Sequence, residues 1–287
     1  MKDNISAFRT TQMMITGAFE VYHYREPYFK SLDFHNHDFY EAYLFLDGGV
    51  TYYIEDRAYD LVPGDLLIIP PGRMHRPAIL DSTAVYERIV LWLNVDYLRL
   101  LDDPENTLQT MLSRFDGKDG YRLSLQDDTL SFSLSILHRL ISLSTDCSPS
   151  GRFEQRALIS AFLANVCSAQ ENAEKTARDA KVPELIPEVI RYINGHFTES
   201  LTLDLICAEF FVSKYHLIRK FKEYTNATVY DYILSKRIAL ARRLIRQGTA
   251  VTAAAAQCGF SDYSNFYKSF SAKTGMTPAQ FRTHCQD

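Results

Sequence analysis

Three histidines and one glutamate near the N-terminus are the side chains best suited to bind a small ligand or a metal ion. They lie in two segments: residues 35–48 follow the pattern H-x-H-x3-E-x6-G, and residues 64–75 follow G-x5-P-x-G-x2-H. His35 and His37 are two residues apart, so both side chains point to the same side of a strand. Neutral imidazoles together with a carboxylate suit Zn, Fe, Mn or Ni.

Both segments resemble the two sequence motifs of the cupin family. In cupins, three histidines and a glutamate hold a divalent metal inside a small β-barrel, and the matching residues are His35, His37, Glu41 and His75. One position departs from the pattern, because Ile79 stands where the second cupin motif usually has Asn. The resemblance implies a cupin-like barrel and this four-residue ligand set for a divalent metal.

A weak internal repeat near the C-terminus is the second informative pattern. Residues 221–225 (FKEYT) align with residues 270–274 (FSAKT) at an offset of 49, and the same offset places Ser213 over Asp262. Ser and Asp are both good helix N-caps. Each copy predicts a short helix, a tight turn, a capped second helix and an exit segment. That layout is the helix-turn-helix, whose second helix enters the major groove of DNA.

The C-terminal region closely resembles the signature of the AraC/XylS family. The resemblance rests on residues 259–266, Phe270 and residues 274–278 in the second copy, and on residues 201–221 in the first. It implies a sequence-specific transcription regulator, an activator of metabolic genes, whose two recognition helices are joined by the helix at 229–247. The chain departs from the family in its turns and packing: Ala253–Ala256 replaces a Glu-Ile-Ala-type run, and Phe210-Phe211 stands where the second copy has Gly259.

Position within the two recognition helices predicts which side chains contact DNA. Arg or Lys can pair with guanine and Asn with adenine, whereas other lysines contact phosphates and add affinity without sequence information. A helical dimerisation domain with a solvated basic face is the alternative, but it explains neither the repeat nor the caps. The predicted base contacts are Tyr215, Ile218, Arg219, Tyr263, Ser264, Asn265, Tyr267 and Lys268, and the predicted phosphate contacts are Lys214, Lys220 and Lys222.

The histidines and the glutamate have three interpretations. In the favoured one, the barrel binds a small polar effector such as a sugar, and His35, His37, Glu41 and His75 hydrogen-bond to it without any cofactor. In the second, a divalent metal (Zn, Fe, Mn or Ni) sits on the same four residues and helps to hold the effector. In the third, the residues are only structural. Trp92 is a further candidate for the effector site because an aromatic ring can stack on a sugar, although aromatic residues on strands are more often core.

A metal-dependent cupin enzyme, an isomerase or dioxygenase with a DNA-binding appendage, is the competing class of protein. Cupin enzymes normally stand alone, so we expect a sensor with no catalytic residues. The expected partners are double-stranded DNA, a small-molecule effector and a second copy of the chain in a homodimer, with RNA polymerase as a further candidate.

The elements that position these residues predict an α+β protein in three regions. In residues 1–100, short apolar runs alternate with turn signals, which predicts an antiparallel sandwich or barrel, and the family resemblances imply that it is a cupin-like barrel that binds the effector. Residues 101–180 carry two apolar stripes, which predict helices that cover the barrel or form a dimer seam, and then a linker. Residues 181–287 predict an all-α domain with two helix-turn-helix units. The predicted strands are Tyr40–Leu46, Val50–Ile54, Tyr59–Val62, Asp65–Ile69 and Tyr86–Leu93.

The net charge of −4 is unevenly distributed along the chain. Residues 182–287 carry 13 Lys and Arg against 9 Asp and Glu, whereas the rest carries 18 against 26. This asymmetry indicates a polyanion-binding end joined to an ordinary domain. The five scattered cysteines contain no C-x-x-C pair, so they indicate neither a disulfide framework nor a zinc site. Without a secretory signal or an apolar run of about 20 residues, the chain is expected to be cytoplasmic and to contact no membrane.

Overall fold

Two antiparallel sheets form the N-terminal half of the protein. The computed structural model describes residues 13–27, 32–80, 85–105, 107–116, 120–172 and 185–285. The strands are β1 (Phe19–Glu26), β2 (Tyr40–Asp47), β3 (Val50–Ile54), β4 (Arg57–Asp60), β5 (Asp65–Ile69), β6 (His75–Ile79), β7 (Tyr86–Leu93) and β8 (Arg122–Ser124). One sheet has the strand order β1-β7-β2-β5-β8, and the other has the order β4-β3-β6.

Four predicted strands are confirmed as β2, β3, β5 and β7. The strand predicted at Tyr59–Val62 is β4, which begins two residues earlier and ends at Asp60, and β1, β6 and β8 were not predicted. The strands within the described residues do not close into a full barrel, and they make an open pair of sheets that is compatible with a cupin-like jelly roll. An aromatic core that includes Tyr43, Tyr52, Tyr59 and Trp92 fills the space between the sheets. Strand β2 is buried along most of its length because both of its faces are covered.

Four helices cover the outer face of the five-stranded sheet. They are α1 (Val95–Leu101), α2 (Thr107–Ser113), α3 (Asp127–Leu143) and α4 (Pro149–Asn172). Leu140 of α3 and Phe162 of α4 pack with Leu44 and Leu91 of the sheet in one hydrophobic core. The helices between residues 101 and 172 pack on the sheet, and the same region supplies strand β8. The predicted linker after α4, with the boundary at residue 180, falls in residues 173–184, outside the described residues.

Seven helices form the C-terminal domain. They are α5 (Leu185–His196), α6 (Leu203–Glu209), α7 (Lys214–Thr225), α8 (Val229–Arg246), α9 (Val251–Gln257), α10 (Tyr263–Thr274) and α11 (Pro278–His284). Helices α6 and α7 form the first helix-turn-helix unit, α9 and α10 form the second, and α8 connects them. No helix within the described residues is both long and apolar enough to cross a membrane.

The repeat predicted from sequence is present in the caps of α7 and α10. The Ser213 hydroxyl accepts from the His216 amide at 3.2 Å, and the Asp262 carboxylate accepts from the Asn265 amide at 2.8 Å. At their other ends, the two helices stop at Asn226 and Gly275, which have left-handed φ values of 56° and 73°. A side-chain acceptor at the N-cap and a left-handed residue after the C-terminus satisfy the end groups of a helix.

The two domains meet at a buried ion pair. Glu55, in the turn between β3 and β4, is 2% exposed and accepts from the ammonium of Lys236 on α8 at 2.7 Å. Its second oxygen accepts from the Tyr232 hydroxyl at 2.8 Å and from the Asn194 amide at 2.7 Å. Burial acts to raise the pKa of Glu55, but the charge of Lys236 outweighs it and holds the pKa below its usual value. The carboxylate is therefore ionised and bonded on both oxygens.

Candidate ligand cluster and DNA-reading surface

A group of buried ligand atoms lies where β2 and β6 approach each other. Ligand atoms of His37, Glu41 and His75 all lie within 4.8 Å of one another, and all three residues are buried. The backbones of His35 and His75 pair in an isolated antiparallel β-bridge, and the centroids of their rings are 4.3 Å apart. The structure thus brings three of the four predicted residues together as one group and places His35 beside His75.

Backbone carbonyls fix the orientation of all three imidazoles. The Nδ1 atoms of His35, His37 and His75 lie 3.0, 2.8 and 2.8 Å from the carbonyl oxygens of Asp33, Phe39 and Arg73. A carbonyl oxygen can only accept, so each Nδ1 must carry the hydrogen. Burial lowers the pKa of His35 to about 4 and lowers that of His75 well below its usual value, so both rings are neutral and their Nε2 atoms are acceptors.

Glu41 is held by two aromatic side chains. The indole N–H of Trp92 donates to one carboxylate oxygen at 2.8 Å, and the Tyr52 hydroxyl donates to the other at 3.4 Å. Burial acts to raise the pKa of Glu41, whereas the nearby imidazoles and the indole N–H lower it, and the net shift is downward. Trp92 is buried against Tyr22 and Phe39, so in this structure its ring belongs to the core and its N–H positions Glu41.

The donor set fits a divalent metal ion. Among the described residues, the Nε2 atoms of His37 and His75 are buried without a hydrogen-bond partner. The Nε2 of His37 lies 3.5 Å from a Glu41 oxygen. The ligand atoms of His37, Glu41 and His75 lie within 4.8 Å of one another. This distance is close to the span of two metal–ligand bonds, each of about 2.0–2.2 Å for nitrogen or carboxylate oxygen. An imidazole whose Nδ1 donates to a carbonyl is the usual form of a metal-binding histidine.

The predicted DNA contacts lie on exposed surfaces of α7 and α10. Tyr215 is 79% exposed, and Ile218, Tyr263 and Tyr267 are all more than 40% exposed. Lys220 is half-buried. The remaining predicted DNA contacts are exposed as well: Lys214, Arg219, Lys222, Ser264, Asn265 and Lys268. Leu217 and Phe221 of α7, and Phe266 and Phe270 of α10, are fully buried on the opposite faces. Each helix therefore presents a polar and aromatic surface over a core of its own.

Three of the basic residues on α7 form exposed ion pairs. Lys214 contacts Asp204 at 2.6 Å, Lys220 contacts Glu223 at 2.9 Å, and Arg219 lies 3.4 Å from Glu223. Exposed pairs of this kind contribute little to stability because solvent screens the charges. They can therefore be exchanged for DNA phosphates or bases at little cost.

Sequence reasoning missed the residues that join the two domains. Asp38, inside the first histidine motif, contacts Arg242 of α8 at 2.7 Å and also pairs with Arg246. These arginines and Lys236 contribute to the positive charge that predicts a polyanion-binding end, but all three side chains pair with carboxylates of the N-terminal domain. The only available signal was the alternation around His37, which places Asp38 on the opposite side of the chain from the histidine.

Comparisons with known proteins agree with this architecture. A family model described as an AraC-like ligand binding domain matches residues 16–166, and one described as a helix-turn-helix domain matches residues 206–284. The chain is 24% identical over 265 residues to the HTH-type transcriptional activator RhaR of Mannheimia succiniciproducens, covering 91% of this chain and 89% of that protein. It is 23% identical over 256 residues to RhaR of Escherichia coli K12, covering 86% of each chain.

Among solved structures, ToxT of Vibrio cholerae with a bound unsaturated fatty acid is similar at 15% identity, with a TM-score of 0.42 and coverage of 94% of this chain and 97% of that one. The AraC-like ligand-binding model alone matches more than half of the chain, and the helix-turn-helix model matches the domain that follows it. The chain therefore belongs to the AraC family of transcriptional regulators.

Proposed function

We propose that this protein is a transcription activator that reads DNA with α7 and α10 and responds to a small polar metabolite in its N-terminal domain. The observation that carries the proposal is the pair of capped helices, each exposing side chains suited to base contacts over a separate buried core. A mere dimerisation surface would not require two helices with the same caps and the same exposed face. We assign the protein no catalytic step.

The base-reading residues are proposed to be Tyr215, Ile218 and Arg219 in the first unit, with Tyr263, Ser264, Asn265, Tyr267 and Lys268 in the second. The two recognition helices would enter major-groove segments about one helical turn apart, roughly 34 Å. Lys214, Lys220 and Lys222 would contact phosphates, which sets affinity and its salt dependence.

The effector is proposed to be a polar metabolite such as a sugar, bound next to His35, His37, Glu41, His75 and Trp92. The support is chemical: buried imidazole Nε2 atoms and a carboxylate are acceptors that hydroxyl groups can satisfy. The RhaR relatives of Mannheimia succiniciproducens and Escherichia coli K12 are named as transcriptional activators, which supports activation as the regulatory sign.

We propose a homodimer whose seam includes α3 and α4. Phe132 and Phe153 on these helices are 50% and 77% exposed, although Leu140 and Phe162 of the same helices are fully buried in the core shared with the sheet. RNA polymerase is the proposed further partner, and the cytoplasm the proposed location, because a DNA-bound activator acts there.

The test is selection of duplexes from a randomised library with the full chain, followed by affinity measurements on the selected duplex. We expect sites with two half-elements about one helical turn apart, and a panel of sugars should change the affinity for that duplex. Failure to enrich any sequence would contradict the proposed DNA reading, whereas enrichment without a response to any sugar would contradict only the proposed effector class.

A further inference from the structure

A cavity of about 420 Å³ lies between the N-terminal domain and helix α8. Residues 33–36 and Met74 form one side of it, and α8 forms the other, with the ends of α7 and α10 beside it. Small-molecule sites have volumes of about 300–1,000 Å³ and occur preferentially where two domains meet. Of the described residues that line the cavity, none is His37, Glu41 or His75, so this space is separate from the buried ligand cluster.

The cavity follows one face of α8. Four residues of this helix line it, and their spacing of four, three and four residues places them on one side of the helix: Asp231, Ser235, Ile238 and Arg242. At a rise of about 1.5 Å per residue, these positions extend over about 16 Å of the helix axis. We call the cavity the slot, because its volume is drawn out over this length and suits an extended chain.

The two ends of the slot differ in burial. Asp33, Asn226 and Asp231 are exposed, so the slot opens to solvent at the Asp231 end, which we call the mouth. Arg242, at the opposite end, is 3% exposed. Three apolar side chains of the lining are buried as well: Phe34, Met74 and Ile238. A ligand therefore enters at an acidic mouth and ends against a buried guanidinium.

The carboxylates at the mouth can accept further hydrogen bonds. Asp33 accepts from the Asn226 amide, and Asp231 accepts from the Thr228 hydroxyl at 2.7 Å. Each carboxylate has about four acceptor sites, so these contacts leave room for an ammonium group. Lys222 is the cation on this side of the lining, at the end of α7, so two carboxylates outnumber one ammonium group at the mouth. The mouth therefore favours a positively charged group.

Positive charge is in excess at the buried end. Arg242 lies 2.7 Å from Asp38, and Arg246 pairs with the same carboxylate, so two guanidinium groups share one negative charge. Asp96, which is also near Arg246, is exposed and pairs with Arg99.

Arg242 also has a donor to spare. Its Nε is buried and has no hydrogen-bond partner in the described part of the chain. Lys273, in the last turn of α10, adds a further positive charge to the lining. An unpaired buried donor costs free energy, and a carboxylate is the acceptor that matches the fork of a guanidinium. The buried end therefore favours a carboxylate.

We propose that the slot binds a linear zwitterion, with its carboxylate on Arg242 and its ammonium group at Asp33 and Asp231. The protein side chains occupy part of the length along α8, which leaves about 10 Å between the charged ends of the ligand, or three residues of extended peptide. A tripeptide and an ω-amino acid of about eight carbons share this chemistry. The inference depends neither on the proposed DNA reading nor on an effector beside the histidines.

Calorimetric titration of the full chain without DNA tests the ligand class. The probes are ω-amino acids of four, eight and twelve carbons, oligoglycines of two to four residues, and octanoate and octylamine, which each lack one charged end. The eight-carbon ω-amino acid should bind one-to-one and more tightly than the shorter and longer ones. Octylamine, without the carboxylate, should bind at least about tenfold more weakly, because it loses a hydrogen bond to a buried charged group. Octanoate loses only the exposed contact, so a loss of about two- to fivefold is expected.

The peptide and alkyl probes separate the two sources of this chemistry. Tighter binding of triglycine than of the eight-carbon ω-amino acid identifies short peptides as the natural class. The reverse order identifies ω-amino acids, because the buried apolar side chains of the lining then contribute more than the peptide groups do.

Four variants locate the site. Arg242→Lys keeps the charge beside Asp38 but removes the planar fork, and should weaken binding of every carboxylate by about tenfold. Arg243→Lys, on the exposed side of the same helix, is the matched control and should change nothing. Asp231→Asn should weaken binding of the eight-carbon ω-amino acid but leave octanoate unaffected, because octanoate has no ammonium group. Ser235→Leu fills the middle of the slot and should abolish binding of all probes. Far-UV circular dichroism and thermal unfolding report whether each variant has folded.

Three results would overturn the proposal. Absence of saturable binding by every ω-amino acid and peptide overturns the site. Equal affinities for the eight-carbon ω-amino acid and octylamine overturn the carboxylate contact with Arg242. Unchanged binding to folded Ser235→Leu, or equal losses of ω-amino acid and octanoate binding in Asp231→Asn, overturns the placement of the ligand in the slot. Selection of duplexes is a separate measurement, so failure of this site is distinguished from failure of the proposed DNA reading.

Discussion

The two helix-turn-helix units have the same caps but different surroundings. The core of the first unit includes Phe34 and Met74 of the N-terminal domain. The core of the second is built from residues of the C-terminal domain itself, from Ile238 to Phe281. The N-terminal domain reaches α8 near the second unit mainly through the ion pairs of Asp38. The first unit therefore shares a hydrophobic core with the N-terminal domain, whereas the core of the second unit does not include residues of that domain.

The turns of the two units also differ. Gly259 in the second unit has φ of 82°, and a Cβ there would lie 2.3 Å from the carbonyl oxygen of Thr198. Phe211 occupies the left-handed position in the first unit, with φ of 52° and 96% of its surface exposed. One turn thus has a steric requirement for glycine, whereas the other places a bulky residue in a conformation that glycine adopts more easily.

Breaking the pair between Glu55 and Lys236 should have the largest effect on stability. Lys236→Met leaves Glu55 buried without its cation, and removal of one partner of such a pair costs about 3–5 kcal/mol. Urea unfolding of the full chain measures the change. Arg243→Met, on the exposed side of the same helix, should change stability by less than about 0.5 kcal/mol. Equal losses in the two variants would mean that the first unit is not held by the sensor domain through this pair.

Gly259→Ala should destabilise the second unit by about 1–3 kcal/mol. We expect a value near the upper end because the new Cβ would both strain the left-handed backbone and collide with the carbonyl of Thr198. Gly248→Ala is a matched control: φ is 90° there, but nothing lies within 4 Å of the added Cβ. The difference in thermal stability between Gly259→Ala and Gly248→Ala isolates the cost of the close contact with Thr198. No difference would show that the turn moves away from Thr198 at little cost.

Arg219→Ala and Lys268→Ala compare base reading by the two units. Each should weaken binding to the selected duplex by about 1–3 kcal/mol and relax preference at one position of the site. Lys222→Ala should instead weaken binding to all sequences and reduce the dependence of log Kd on log salt by about one. Competition titrations with selected and random duplexes measure both quantities. Equal losses of Arg219→Ala on the two duplexes would make Arg219 a phosphate contact.

Local patterns predicted the double helix-turn-helix because its signals are short-range. Ser213 and Asp262 each cap a helix within three residues. The buried residues of each helix are four apart, Leu217 and Phe221 in α7 and Phe266 and Phe270 in α10, which is helical spacing. Alternation along the chain also predicted that His37, in the segment before β2, and Glu41, on β2, lie on the same side of the chain. DNA contacts by individual residues stay predictions, because exposure alone does not show which atoms meet a base.

Long-range pairing could not be predicted from local patterns. Strands β1 and β6 lack clear alternation in sequence, and β8 has only three residues, so their places depend on partners far along the chain. Glu55 and Lys236 are separated by 181 residues, and nothing in the neighbourhood of either indicates the other. The net positive charge of the C-terminal region predicts that its basic residues bind anions. Some of these anions are carboxylates of the same chain, Glu55 and Asp38.

Phe211→Gly should have the smallest effect and the opposite sign. A non-glycine residue in the left-handed region costs about 1–2 kcal/mol, and glycine loses about 0.5–1 kcal/mol more conformational entropy on folding than alanine does. Because the Phe211 ring is exposed, its removal forfeits little burial, and the net result should be a stabilisation of up to about 1 kcal/mol. Phe211→Ala is the control, since it removes the ring but keeps the Cβ and the unfavourable φ. If both variants lose stability or DNA affinity to the same extent, the ring itself makes a contact in the working protein, and the first turn has retained phenylalanine for that contact despite its cost to the backbone.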